Sequence, residues 1–277
     1  MVKSCIAVLL MGMVACSVAH PLDKKATGQM ATGAQATYLA NEGVMVQSAE
    51  YKILFDPFFH NDFGYYQLVP ESIRQAIFAG TAPYDNIDAV FISHAHEDHF
   101  SATDMHKFLQ THKKVHLYAP KQAVTQMTKM TIADEVMKRV TAIDIEYGAK
   151  PWVKTLGQLS IEAVRIPHAG GQARRYVQNM VFRVSLADDL SVMHMGDADA
   201  NDKFFAFYDS FWQQKTTALS FPPYWFFESA EGKQILNSRI NAKHHIGVHV
   251  PKNVPKGLAA SGVMLFTIPG QTYQIAN

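Results

Sequence analysis

The stretch Ser93-His94-Ala95-His96-Glu97-Asp98-His99-Phe100 sets three histidines and two acids directly behind the apolar run Asp88-Ala89-Val90-Phe91-Ile92. The apolar run reads as a buried strand. On the other side a helix start is expected, with Ser101 and Asp104 fitting a capping box and Phe100 and Met105 its hydrophobic staple. The ionisable groups therefore occupy a strand-to-helix turn. In His94-x-His96 the period of two turns both imidazoles to one side of an extended segment, and Asp98 and His99 come next, where the chain curls. Imidazole nitrogen and carboxylate oxygen suit Zn²⁺, and an open catalytic site takes about three such ligands plus a free position. Four ligand-type groups exceed what one open site uses, so the pattern points to two adjacent metals. A solvated turn that is merely rich in His is the bland alternative, and the order H-x-H-x-D-H behind a β-run argues against it.

The elements that must position these groups alternate in type. Short β-runs at Val44 to Gln47 and Tyr51 to Phe55 end at Asp56-Pro57. An aromatic-rich insertion then reaches Tyr84, with Phe58, Phe59, Phe63, Tyr65 and Tyr66; a satellite core around a helix at Ile73 to Phe78 is favoured over a lid. The strand-turn-helix rhythm recurs at Val115 to Tyr118 and Lys121 to Met130, and further strands are expected at Ile161 to Ile166, Met180 to Leu186, Ser191 to Met195 and Ile246 to Val250. Hairpins early and crossovers later argue for a layered α/β sandwich.

The motif His94-Ala95-His96-Glu97-Asp98-His99 resembles the signature of the metallo-β-lactamase-fold hydrolase superfamily, and the resemblance runs in order over roughly residues 36 to 255. It implies a four-layer αββα sandwich. It also implies a supporting aspartate after an early strand (Asp56 in "ILFDP"), a lone histidine after a later one (His168 in "VRIPHAGG"), an acid behind a glycine (Asp197 in "SVMHMGDAD") and a last histidine (His249 in "HHIGVHVP"). Asp199 competes with Asp197, and Gly196 decides for Asp197 because it allows a tight backbone approach. His244 and His245 compete with His249, which is preferred at the end of the strand expected at Ile246 to Val250. His194 reads as a neighbour, and His60, His106, His112 and His116 as surface or core residues. Carried over, the family pattern gives His94, His96 and His168 to a first metal, Asp98, His99 and His249 to a second, and Asp197 to both. The resemblance thus implies two Zn²⁺ per chain, with manganese or iron as alternatives, a metal-bridging hydroxide as nucleophile, and Asp98 as the group that orients it and relays a proton.

Within the superfamily, β-lactamases of two subclasses place a cysteine where Asp197 stands. Both cysteines of this chain, Cys5 and Cys16, lie in its first nineteen residues. That disfavours antibiotic hydrolysis of that type. The bridging aspartate is similar to the lactonase-like and phospholipase-D-like branches, so the expected substrate is a small-molecule ester, lactone or phosphoester. β-Lactam or thioester hydrolysis, or a non-catalytic metal- or ligand-binding protein on the same scaffold, is the alternative. Arg174 and Arg175 are candidate contacts for a phosphate or carboxylate, and Tyr224 and Trp225 for an acyl chain.

At 277 residues, with 48% hydrophobic and 18% charged, the chain has the size and composition of one enzyme domain. Its 25 Lys and Arg balance 24 Asp and Glu, which gives no sign of nucleic acid or an anionic membrane as partner. Residues 1–19 read as an export signal: Lys3, an apolar run from Ile6 to Ala15, and small Ser17 and Ala19 before a cleavage point. The run is too short for a permanent span of roughly 20 apolar residues. Cleavage after Ala19 would give a periplasmic or secreted chain starting at His20, with a polar linker over residues 20–35 and the hydrolase domain over residues 36–277. Met13-Val14-Ala15-Cys16 also resembles a lipobox, with a lipid anchor at Cys16 as the competing outcome.

Overall fold

Alternate residues around the strand Ala89–Phe91 go to opposite sides, as the period of a strand requires. Ala89 and Phe91 pack in one apolar cluster with Phe182 and Phe221, while Val90 and Ile92 pack in another with Met105 and Phe108. Both faces of the strand are covered, which is why the sequence here is a continuous apolar run.

The computed structural model describes Met1, residues 33–187 and residues 190–275. One sheet is built from β1 (Ala34–Ala40), β2 (Gly43–Gln47), β3 (Lys52–Phe55), β4 (Ala89–Phe91), β5 (His116–Pro120), β6 (Val140–Ile143) and β13 (Thr272–Ile275), in the order β13-β1-β2-β3-β4-β5-β6. The second holds β7 (Trp152–Leu156), β8 (Leu159–Arg165), β9 (Met180–Ala187), β10 (Leu190–His194), β11 (Thr217–Phe221) and β12 (Ala242–His245), in the order β12-β11-β10-β9-β8-β7. Strands β3 to β6 run parallel, as do β10 to β12, and the remaining pairs are antiparallel.

Tyr38, Phe55 and Phe91 from the first sheet meet Ile161, Phe182 and Phe221 from the second in a shared inner core. Outside the first sheet lie α1 (Glu71–Ala79), α2 (Ala102–Thr111), α3 (Lys121–Met127) and α4 (Asp134–Met137), whose Ile77, Phe108, Met127 and Val136 cover Leu54, Val90 and Leu117. Outside the second lie α5 (Asp202–Ala206), α6 (Asp209–Gln214) and α7 (Ala230–Ser238), whose Phe205, Trp212 and Ile235 cover Val164, Val181 and Met193. A single turn, α8 (Lys256–Ala259), comes after them. The fold is the four-layer αββα sandwich of the metallo-β-lactamase type.

Some expectations need correction or refinement. No strand forms over Ile246 to Val250. The pairing strand is β12, and beyond it Gly247 bridges to Leu265 while Val248 bridges to Pro223. Ile246 and Val248 still donate to the Ser220 and Pro222 carbonyls, but Pro222 has no N–H to return a bond, and His249 leaves the extended line with a left-handed φ of 57°. The capping box of α2 is half made: Ser101 Oγ accepts from the Asp104 N–H at 3.3 Å, but the Asp104 carboxylate turns to Arg74 and His60. The aromatic insertion divides, with Phe58 and Phe59 buried in the outer core and Phe63 and Tyr65 exposed. Strand β1 begins at Ala34, inside the stretch expected as linker. The expected signal, its cleavage after Ala19, Cys16 and most of the linker lie outside the described residues. No described helix is long and apolar enough to cross a membrane.

Candidate metal centre

The chemistry-bearing residues collect at the carboxyl ends of strands, where an α/β sheet leaves backbone and side chains free to meet a ligand. His94, His96, Asp98 and His99 come after β4, His168 after β8 and Asp197 after β10, and His249 lies beyond β12. All are buried except His96, which is half-buried.

Their donor atoms fall into two sets. His94 Nε2 and His168 Nε2 lie 3.0 and 3.1 Å from His96 Nδ1, and Asp197 Oδ2 lies 3.2 Å from His168 Nε2 and 3.9 Å from His94 Nε2. In the other set, Asp98 Oδ2 is 3.5 Å from His99 Nε2 and 3.3 Å from His249 Nε2, and Asp197 Oδ1 is 3.3 Å from each of those nitrogens. Ligands held about 2.05 Å from a tetrahedral ion stand roughly 3.3 Å from one another, so both sets have the spacing of a coordination shell. The two oxygens of Asp197 divide between them. His99 Nε2, His249 Nε2 and Asp197 Oδ1 are buried without a hydrogen-bond partner. Leaving such atoms unsatisfied is costly, and a bound cation would satisfy all three. The donor set therefore fits one or two metal ions.

Neighbouring groups fix which nitrogen of His94, His99 and His168 faces inward. Asp56 Oδ2 lies 3.0 Å from His99 Nδ1, and its carboxylate also accepts from the Ser93 N–H and Oγ–H. Ser93 Oγ is 3.0 Å from His94 Nδ1, and His168 Nδ1 meets the Ala169 carbonyl. A carboxylate or carbonyl behind an imidazole sets its tautomer and basicity, and Asp56 stands in that position behind His99. Gly196 has φ +52°, and a Cβ there would stand 2.6 Å from Ser93 Cβ, so only glycine lets the turn after β10 pass this close to the histidine turn.

Two buried asparagines were not singled out by sequence reasoning. Asn41, in the β1–β2 turn, donates from Nδ2 to the Asp98 carbonyl at 2.9 Å, and its own carbonyl accepts from the His249 N–H at 2.8 Å. Asn179 Oδ1 accepts from the Asp197 N–H at 3.0 Å while its Nδ2 donates to the Met195 carbonyl at 3.1 Å. Nothing in a lone Asn marks such a role; the signal was their position at strand ends that face ligand loops.

Burial, with the neighbouring His99 charge, holds His94 well below the usual imidazole range, and burial with His168 brings His96 down to about 4. Both are neutral and ready to donate lone pairs. Burial would lower His99 as well, but Asp98 and Asp197 outweigh it and raise His99 well above that range. Asp197 and Asp98 are held below the carboxylate range against their burial, Asp197 by His249 and His99, and Asp98 by His99 and then His249. A proton on His99 thus does part of the charge balancing that a cation would do.

The remaining candidates separate. His194 is a neighbour: Nε2 donates to the Glu42 carbonyl at 2.9 Å and the ring stacks on Phe55. Together with Asp56 it borders Glu42, whose carboxylate oxygens are buried without partners and whose carboxyl is pushed well up, chiefly by burial. The Asp199 N–H donates to the Pro167 carbonyl, and its carboxyl joins neither donor set. His245 faces Ser220 Oγ at 2.7 Å, and His112 faces the Phe78 carbonyl. Arg174 Nη1 lies 3.4 Å from His96 Nε2, at the rim of the first set, whereas Arg175 stacks 4.3 Å over Phe204. Trp225 anchors through Nε1 to the Ala198 carbonyl with its ring 5.3 Å from that of His249, and Tyr66 sits closer, edge-on at 4.1 Å. Burial, then Tyr224, Asp197 and Asp98, push the Tyr66 phenol up, so it stays protonated.

A sandwich of two mixed sheets with this buried His and Asp cluster at its strand ends defines the class: a metal-dependent hydrolase of the metallo-β-lactamase superfamily. A family model described as "Beta-lactamase superfamily domain" matches residues 35–210, and the chain belongs to that family. Among solved structures, the fold is similar to Igni18, a metallo hydrolase from the archaeon Ignicoccus hospitalis, with TM-score 0.60 and 16% identity over 89% of this chain and 100% of that one. It is similar too to a possible metal-dependent hydrolase from Veillonella parvula (TM-score 0.60, 14% identity, 87% and 99% covered). An isothiocyanate hydrolase from Delia radicum gut bacteria gives TM-score 0.55 at 13% identity, with 87% and 99% covered. No curated protein sequence matches this chain.

Proposed function

We propose that the chain is a dinuclear metallohydrolase of small-molecule esters, lactones or phosphoesters. The observation that carries this reading is the division of Asp197: one oxygen stands with His94, His96 and His168, the other with Asp98, His99 and His249. Two divalent ions held there, zinc by donor type, would lower the pKa of a shared water towards about 7 and supply hydroxide at neutral pH. The protein's own residues do the rest. His94 and His96 arrive neutral and ready to bind, and Asp56 orients His99. Asp98, at the second set, holds the nucleophile's proton and passes it to the leaving group. Arg174, at the open edge of the first set, offers positive charge to a substrate oxygen.

We further propose that residues 1–19 are removed on export to the periplasm or beyond, leaving the hydrolase domain behind a short linker; a mature mass that does not start at His20 contradicts this. The activity is tested by assaying metal-loaded mature protein on ester, lactone, phosphodiester, thioester and β-lactam panels, with and without a chelator. Chelator-sensitive turnover of at least one of the first three classes is the expected result. Turnover confined to β-lactams or thioesters, or none at all, overturns it.

A further inference from the structure

A cavity of about 770 Å³ opens beside the second donor set, lined by Phe63, Tyr65, Tyr66, Tyr224, Pro251 and Lys252 among others. That volume lies in the range of small-molecule sites. Of its lining residues, Tyr66 lies edge-on to the His249 ring at 4.1 Å and Pro251 is two residues beyond His249, so the cavity adjoins that histidine across the Tyr66 ring.

The aromatic loop is fixed at both ends to the segments that carry the donors. Asn61 donates from its backbone N–H to the Glu97 carbonyl at 3.3 Å and from Nδ2 to Glu97 Oε2 at 3.0 Å, which ties it to the histidine turn. The Lys252 N–H donates to the Tyr65 carbonyl at 2.8 Å and its Nζ pairs with Asp62, which ties the loop to the segment after His249. Within the loop, Asn61 Oδ1 accepts from the Phe63 N–H and Asp62 Oδ1 from the Gly64 N–H. Phe63 and Tyr65 are nevertheless 56% and 69% exposed. Large aromatic faces held in the open beside a buried polar cluster are where a ligand ring gains most.

Charge narrows the occupant. The one cation among these lining residues, Lys252, is paired with Asp62, so the cavity itself suits an uncharged group. We propose that this cavity seats the aromatic ring of a neutral aryl-bearing ester or lactone, with the scissile carbonyl presented towards Asp98 and Asp197. The inference rests on the hydrolase reading and selects among the substrate classes it allows.

The test compares kcat/KM for benzyl acetate and ethyl acetate, whose leaving groups are similarly basic, and in parallel measures binding of 4-fluorobenzyl alcohol by fluorine NMR. Burial of a phenyl ring predicts a preference of roughly ten- to a hundredfold for the benzyl ester. Tyr66→Leu and Tyr224→Leu should each collapse that ratio and weaken the alcohol, whereas Tyr66→Phe, which keeps the ring, should retain both. Turnover of both esters at similar kcat/KM without alcohol binding overturns the pocket and leaves the hydrolase standing. Alcohol binding sensitive to the two Leu variants, without turnover of any ester, lactone or phosphoester, supports the pocket and overturns the hydrolase. Preferential binding of tetramethylammonium would make the cavity a cation cage and overturn the neutral-ring assignment.

Discussion

Replacing Asp197 by Asn keeps the shape of the side chain and changes what its two ends can do. Oδ1 stands 3.3 Å from both His99 Nε2 and His249 Nε2, and Oδ2 stands 3.2 Å from His168 Nε2. An amide leaves one carbonyl oxygen, which can serve only one set, and turns an NH₂ towards the other. The negative charge that balances two dications is lost as well. Removing one partner from a buried charged group costs roughly 3–5 kcal/mol, which at 1.4 kcal/mol per decade is about two to three and a half decades of affinity. We expect Asp197→Asn to keep at most one ion per chain after dialysis against a weak chelator, and a competition titration with a chromophoric chelator to show the other weakened by roughly that amount. Asp199→Asn, two residues on but outside both donor sets, is the matched control and should keep both ions. Two ions at wild-type affinity in Asp197→Asn would refute the bridge.

The same geometry sets four other outcomes. Asp98→Asn should keep the ion at His94, His96 and His168 while kcat falls about 10²- to 10⁴-fold; metal content and turnover measured together on one preparation would expose an error if both sites empty. His99, raised by Asp98 and Asp197, carries a proton in the metal-free protein, whereas His94 and His96 are lowered and carry none at neutral pH. Loading the second set should therefore release about one proton and loading the first close to none, read by calorimetry in buffers of different ionisation enthalpy. The stability that His99 contributes to the metal-free protein is complete below its unfolded pKa of about 6.5 and fades as pH rises through its raised folded value, so a metal-free Tm rising from pH 7 to 9 would speak against it. Asn41→Ala removes the donor to the Asp98 carbonyl and leaves that carbonyl unmet, a loss of about 1–3 kcal/mol. It should weaken the ion at Asp98, His99 and His249 more than its neighbour, and equal weakening of both would count against the assignment.

Much of the site was legible because strand-end chemistry is local. The spacing His94-x-His96-x-Asp98-His99 is a property of one turn, and the structure brings its four side chains together with His168, Asp197 and His249. Gly196 pointed to Asp197 because a tight passage requires glycine, and the structure shows what it passes. The misjudged strand at Ile246 to Val250 had an apolar pattern but faces Pro222 and Pro223, which cannot return its hydrogen bonds, and which residues face a segment is a tertiary fact that periodicity does not carry. Asn41 and Asn179 escaped notice, and Tyr66 stood out only as part of an aromatic insertion, for a related reason. Each acts across a long sequence separation, Asn41 on Asp98 and His249, Asn179 on Asp197, and Tyr66 on His249. The paired arginines look alike in sequence, and only the position of the Phe204 ring draws Arg175 away from Arg174.

Crystals of the metal-loaded protein, with anomalous data collected at the metal edge, would test the dinuclear centre most directly. The account predicts two peaks per chain, one among His94, His96 and His168, the other among Asp98, His99 and His249, each within bonding distance of a different Asp197 oxygen. A single peak, or a second one displaced to the buried group of Glu42, Asp56 and His194, would contradict it.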